Sequence, residues 1–127
     1  MSLQRIMYAE DEPDIQAVAR LALEMLGGFQ VRVCGNGEEV LAAVREFCPD
    51  LILLDVMMPG MDGPSTLARL RADPATAAIP VIFLTAKVQP PEVVHYQSLG
   101  ALDVIAKPFD PMTLAAQVRQ IWSAAHG

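Results

Sequence analysis

Apolar residues along this chain follow two rhythms. Five short runs have the length of strands: Arg5 to Ala9, Phe29 to Cys34, Leu51 to Leu54, Val81 to Leu84 and Ala101 to Ala106. The run Leu51 to Leu54 has no polar member, as expected of a strand buried on both faces. Between the runs, apolar residues recur every three or four positions and predict helices. The first carries Ile15, Val18, Ala19, Ala22, Met25 and Leu26, and the second Val40, Leu41, Val44 and Cys48. The third carries Thr66, Leu67 and Leu70, and the last Leu114, Val118, Ile121 and Trp122. Glu92 to Leu99 is weaker: Val93, Val94, Tyr96 and Leu99 do not settle on one face. A helix so poorly anchored is a candidate for one that moves.

Breaking residues sit between the elements. Pro13 and Pro64 suit a first helical turn, Gly27-Gly28 and Gly100 stop helices, and Asp110 can cap the last one. Pro49, Asp73-Pro74 and Pro90-Pro91 mark further boundaries, and Gly35-Asn36-Gly37 and Pro59-Gly60 are turns. Strands alternating with helices predict an α/β fold: a five-stranded parallel sheet with right-handed crossovers and helices on both faces.

At 127 residues and 53% hydrophobic content the chain predicts one packed domain, residues 1–127, without disorder. No apolar run is long enough for a membrane span and no signal peptide is visible, and two cysteines expected to stay reduced fit a cytoplasmic protein. The net charge of −6 disfavours nucleic acid and favours cations. Cys34 and Cys48 fit no metal motif. They stand at opposite ends of a strand and the helix after it, ~15 Å apart, too far for a disulfide.

The chemistry is expected where the strands end. Strand one ends in Glu10 and Asp11, strand three in Asp55, strand four in Thr85 and strand five in Lys107. The carboxyl ends of a parallel sheet share one edge, where α/β proteins bind ligands. Three carboxylates gathered there repel each other, and a hard divalent cation with oxygen ligands relieves the repulsion. Asp11 and Asp55 are the expected direct Mg2+ ligands, Glu10 binds directly or through water, and the Met57 carbonyl offers another oxygen. The free oxygen of Asp55 can then attack phosphorus, while Thr85 and Lys107 hold peripheral phosphoryl oxygens. Met57, Met58 and Met61 read as loop packing. His95 and His126 read as exposed, and Trp122 as core.

The segments Tyr8-Ala9-Glu10-Asp11-Glu12, Leu53 to Gly63, Phe83-Leu84-Thr85-Ala86 and Ala106-Lys107-Pro108-Phe109 resemble receiver domains of two-component response regulators. The resemblance runs the whole chain, with all four motifs in order. It implies a flavodoxin-like sheet of strand order 2-1-3-4-5 with five helices. It also implies Asp55 as phosphoacceptor, Glu10 and Asp11 as Mg2+ ligands, Thr85 as switch hydroxyl, Lys107 as phosphoryl contact and a cis Lys107-Pro108 bond. The implied partners are a sensor histidine kinase or histidine phosphotransfer protein and a downstream target or output domain; this length leaves no room for an output domain, so the chain is expected to be either a stand-alone receiver or one cut from a larger protein. Partner binding would switch through the fourth helix, fifth strand and fifth helix. The resemblance also leaves room for a dimer formed on phosphorylation. Two positions depart from the pattern. Glu10 replaces a commoner Asp, and Val104 stands three residues before Lys107, where the family has Tyr or Phe, so the usual aromatic switch is absent.

Other functions fit less well. A phosphatase with an Asp nucleophile needs a second Asp two residues on, where this chain has Met57. A flavin carrier needs an uncharged phosphate loop after strand one, where Glu10-Asp11-Glu12 would repel phosphate. A receiver that binds partners without phosphorylation is left open by Val104 and opposed by the intact acidic set.

Overall fold

A computed structural model describes residues 2–126; Met1 and Gly127, the two ends of the expected domain, lie outside the described residues. Strands β1 (Arg5–Ala9), β2 (Gln30–Cys34), β3 (Leu51–Asp55), β4 (Val81–Thr85) and β5 (Asp103–Ala106) form one parallel sheet in the order 2-1-3-4-5. Helices α1 (Pro13–Leu21), α2 (Gly37–Phe47), α3 (Gly63–Ala72) and α4 (Pro90–Ser98) fill the crossovers, and α5 (Leu114–His126) follows the last strand. This is the flavodoxin-like arrangement, and its order reverses between β1 and β3. β5 begins at Asp103, two residues later than the run from Ala101 suggests, and α4 begins at Pro90 rather than Glu92.

The strand period of two divides the core. Leu51 and Leu53 of β3 pack with Ala19, Leu23, Leu114, Val118 and Trp122 on the α1/α5 side. Ile52 and Leu54 pack with Val40, Val44, Leu67 and Leu70 on the α2/α3 side. Every residue of β3 and of β4 is buried, so the central strands are rigid supports for whatever their ends carry.

Local chemistry sets the helix ends. Asn36 caps α2 by accepting from the Glu39 N–H at 2.9 Å, and Asp62 caps α3 by accepting from the Ser65 N–H at 2.8 Å. The Asp110 carboxylate accepts from the Met112 N–H, and its carbonyl accepts from the Leu114 N–H at the start of α5. Cys48 falls outside α2: it is the exposed left-handed residue after it, at φ 53°. Both cysteines are free.

The predicted core face of the first helix is corrected. After Leu21 the helix continues as a π-helical turn over Ala22–Leu26. A π turn adds a residue to each hydrogen-bonded loop and so rotates the side chains beyond it about the helix axis. Leu23 is therefore fully buried, while Met25 and Leu26 are exposed; Val18, which precedes the turn, is exposed as well. α4 is as weakly anchored as its scattered apolar positions predict: none of its nine residues is buried. No helix among the described residues is long and apolar enough to cross a membrane.

Candidate functional site

The strand ends converge. Glu10, Asp11 and Asp55 each bring one carboxylate oxygen to within 4.8 Å of the others. Glu10 is fully buried and Asp55 nearly so, while Asp11 is exposed and opens the cluster to solvent. Lys107 reaches into the same nest from the end of β5. Its Nζ donates to Glu10 Oε1 at 2.9 Å and to Asp55 Oδ2 at 3.0 Å. Partial burial opposes the charge on Lys107, but its hydrogen bonds to Glu10 and Asp55 and their charges outweigh this and raise its pKa.

The backbone around the nest is fixed by short-range bonds. Asp55 Oδ1 accepts from the Met57 N–H at 3.3 Å. Glu10 Oε2 accepts from the Glu12 N–H at 3.3 Å, and the Glu10 carbonyl accepts from the Gln16 side chain. Thr85 is buried at the end of β4, and its hydroxyl accepts from the Lys87 N–H at 3.2 Å. The Lys107 N–H donates to the Thr85 carbonyl at 2.9 Å, which locks the ends of β4 and β5 together. The Lys107–Pro108 peptide bond is cis. Gly63 allows the β3–α3 loop to close over the strand end, because a Cβ there would lie 2.6 Å from the Asp55 carbonyl oxygen.

A hollow of about 340 Å³ opens beside Asp55, lined among others by Met57, Thr85, Lys87, Tyr96 and Lys107. Four of the predicted residues, Asp55, Met57, Thr85 and Lys107, thus share one cavity, and Glu10 and Asp11 join it through the acid cluster. Met57 is corrected: its side chain is not packed in the loop but is 77% exposed at the rim, while Met58 is buried. Val104 is half-buried in β5 opposite Phe83 of β4.

Two aromatic residues carry more than their sequence positions suggest. Tyr96 on α4 meets Phe83 in a T-shaped contact, 5.2 Å between ring centroids, and is a wall of the hollow. Tyr8 on β1 is fully buried, and its hydroxyl lies 3.4 Å from Glu10 Oε1. Burial, with Glu10 and Asp55 nearby, pushes its phenol far above the ordinary range. In the sequence Tyr8 reads only as strand core.

The chemistry of the donor set suits a hard cation. All three side chains are carboxylates, one face is open for retained water, and the ammonium of Lys107 marks where positive charge is favoured.

Comparison with known proteins gives a consistent answer. The family model of the response regulator receiver domain matches residues 6–119. The DNA-binding response regulator MtrA of Mycolicibacterium smegmatis is 42% identical over 116 residues, covering 91% of this chain and 49% of MtrA. The chain spans about half the length of the curated relatives it matches. Among solved structures, the Vibrio cholerae chemotaxis response regulator CheY4 superposes with a TM-score of 0.85 at 25% identity, covering 94% of this chain and 99% of CheY4. The N-terminal domain of a receiver protein from Methanoculleus marisnigri is 39% identical with a TM-score of 0.74, covering 98% of this chain and 95% of that one. The chain therefore belongs to the response regulator receiver domain family.

Proposed function

We propose that residues 1–127 are a single receiver domain that accepts a phosphoryl group on Asp55 from a phosphohistidine of a kinase or phosphotransfer protein. The observation that carries this reading is the nest itself: three carboxylates within 4.8 Å, with Lys107 Nζ 3.0 Å from Asp55. Glu10, Asp11, Asp55 and the Met57 carbonyl would hold Mg2+. When bound, Mg2+ supplies the positive charge that lets an anionic carboxylate meet an anionic phosphoryl group.

In this reading an Asp55 oxygen attacks phosphorus in line, the P–N bond of the donor breaks, and its electron pair stays on the imidazole. Lys107 then leaves its carboxylate partners for a phosphoryl oxygen, and the Thr85 hydroxyl donates to another. A second hollow of about 500 Å³, lined by Ile15, Val18, Ala86, Pro108, Phe109 and Pro111 among others, shares Lys107 with the nest. A partner helix seated there would bring its phosphohistidine to Asp55.

The readout runs through the α4–β5–α5 face, toward a target protein or an output domain. α4 supports this, because it has no buried residue to hold it to one position. A phosphorylation-dependent dimer through that face fits the same reading. The domain turns over no external substrate, since exposed Met57 stands where a general acid would be needed. It works in the cytoplasm and does not itself bind nucleic acid, consistent with a net charge of −6.

The test is phosphotransfer from a labelled phosphohistidine donor, with and without Mg2+, to the unaltered chain and to Asp55→Asn. Label should appear only in the unaltered chain with Mg2+. Label retained by Asp55→Asn would end the proposal.

A further inference from the structure

Tyr8 presents a physical puzzle. Its ring lies among Ile6, Leu53 and Leu84 in the apolar core, where a phenylalanine would pack equally well without burying a hydroxyl. Among the described residues that hydroxyl has one hydrogen-bond partner, Glu10 Oε1 at 3.4 Å. The distance is long for an O–H···O bond. Glu10 Oε1 already accepts from Lys107 at 2.9 Å, and Lys107 also holds Asp55 at 3.0 Å. A chain of contacts therefore runs from the core to the candidate phosphoacceptor: Tyr8, Glu10, Lys107, Asp55.

We propose that Tyr8 is a positioning residue, whose buried hydroxyl holds the Glu10 carboxylate when Lys107 leaves it for a phosphoryl group on Asp55. This rests on the phosphoacceptor reading above and goes beyond it. Glu10 is fully buried, so departure of Lys107 takes from its Oε1 a hydrogen-bond donor that water does not replace, even with Mg2+ on the carboxylate. The Glu12 N–H, at 3.3 Å, serves the other oxygen, Oε2. Tyr8 is the donor that stays with Oε1. Its contact is loose while Lys107 is in place and shortens when Lys107 departs, so it favours the phosphorylated arrangement over the resting one. Side-chain length matters here, because an aspartate at position 10 would stop one methylene short of the hydroxyl.

The experiment is beryllofluoride binding in saturating Mg2+, measured by calorimetry for the unaltered chain, Tyr8→Phe, Glu10→Asp and the double variant. Mn2+ binding alone and thermal melting are measured on the same samples. Tyr8→Phe should weaken beryllofluoride binding roughly tenfold, the loss expected for a buried hydrogen bond to a carboxylate. It should leave Mn2+ binding and melting close to those of the unaltered chain. In the Glu10→Asp background the same substitution should change nothing, because the coupled partner has already withdrawn. Equal weakening in both backgrounds, or no weakening by Tyr8→Phe, would overturn the role of Tyr8 while leaving the phosphoacceptor reading intact. Failure of the unaltered chain to bind beryllofluoride would overturn both.

Discussion

Replacing Lys107 with methionine should destabilise the metal-free protein and tighten its hold on Mg2+. Methionine keeps the unbranched apolar stem and removes the ammonium. In the resting structure that ammonium is the cation shared by Glu10 and Asp55, whose side chains are 0% and 4% exposed, while Lys107 itself is 20% exposed. Removing one partner of a buried ion pair costs ~3–5 kcal/mol. Solvent at Lys107 trims that to about 2–3 kcal/mol. For a domain of this size the melting temperature should fall by roughly 6–12 °C in EDTA. Mg2+ binding should then become about tenfold tighter, because the bound ion no longer competes with a fixed positive charge. The pKa of Lys107 is raised in the folded state, so its contribution is complete below the ordinary lysine value and is lost as pH rises through the higher folded value. The stability gap between the two proteins should therefore persist from neutral pH to about pH 10 and close above it. The assay is thermal melting in EDTA and in graded Mg2+, with calorimetric Mg2+ titration. Equal melting temperatures in EDTA, or Mg2+ binding no tighter in Lys107→Met, would refute the idea that Lys107 stands in for the cation.

Two further substitutions or treatments separate local causes. The Cys34 thiol is pushed up to about 11 by burial, with Glu39 adding to the rise and Arg32 opposing it, whereas Cys48 is exposed. A thiol reagent at pH 8 should therefore modify Cys48 in the folded protein and reach Cys34 only in denaturant; rapid labelling of both, read by mass spectrometry, would contradict the assigned burial. Gly63→Ala should cost about 1–3 kcal/mol and weaken Mg2+ binding, because its Cβ would lie 2.6 Å from the Asp55 carbonyl oxygen and 2.9 Å from the Val56 Cα. Denaturant melts and calorimetry would check this, and unchanged Mg2+ affinity would show that the loop yields without moving Asp55.

The strand framework is legible because its signals are local. Leu51 to Leu54 form an unbroken apolar run, Pro59-Gly60 ends it, and the resulting β3 is buried throughout. The gathering of Glu10, Asp11, Asp55 and Lys107 comes from topology alone, since parallel strands deliver their carboxyl ends to one edge. The features that stay hidden depend on geometry that a linear pattern does not encode. A regular period places Val18, Met25 and Leu26 inside, and the π turn over Ala22–Leu26 rotates the last two outward and Leu23 inward. Tyr8 looks like any aromatic strand residue until its hydroxyl is found at Glu10. Tyr96 is ambiguous in the sequence because its partner, Phe83, lies on a different element.

The resting site already contains the competition that a switch requires. Lys107 neutralises Glu10 and Asp55 at the strand ends, and in the phosphoacceptor reading a phosphoryl group on Asp55 draws it away from them. The backbone at that point has little freedom: the Lys107 N–H is bonded to the Thr85 carbonyl, and β4 is buried along its whole length. A change at Asp55 is therefore expressed first in side chains and in whatever rests on β4 from outside. Tyr96 rests there, in a T-shaped contact with Phe83, on a helix without a buried residue of its own. With only Val104 beside Phe83 on β5, no bulky neighbour on that strand competes with Tyr96 for the contact. In the phosphoacceptor reading, α4 is thus the element whose position costs least to change, and so the part of the α4–β5–α5 face that responds first.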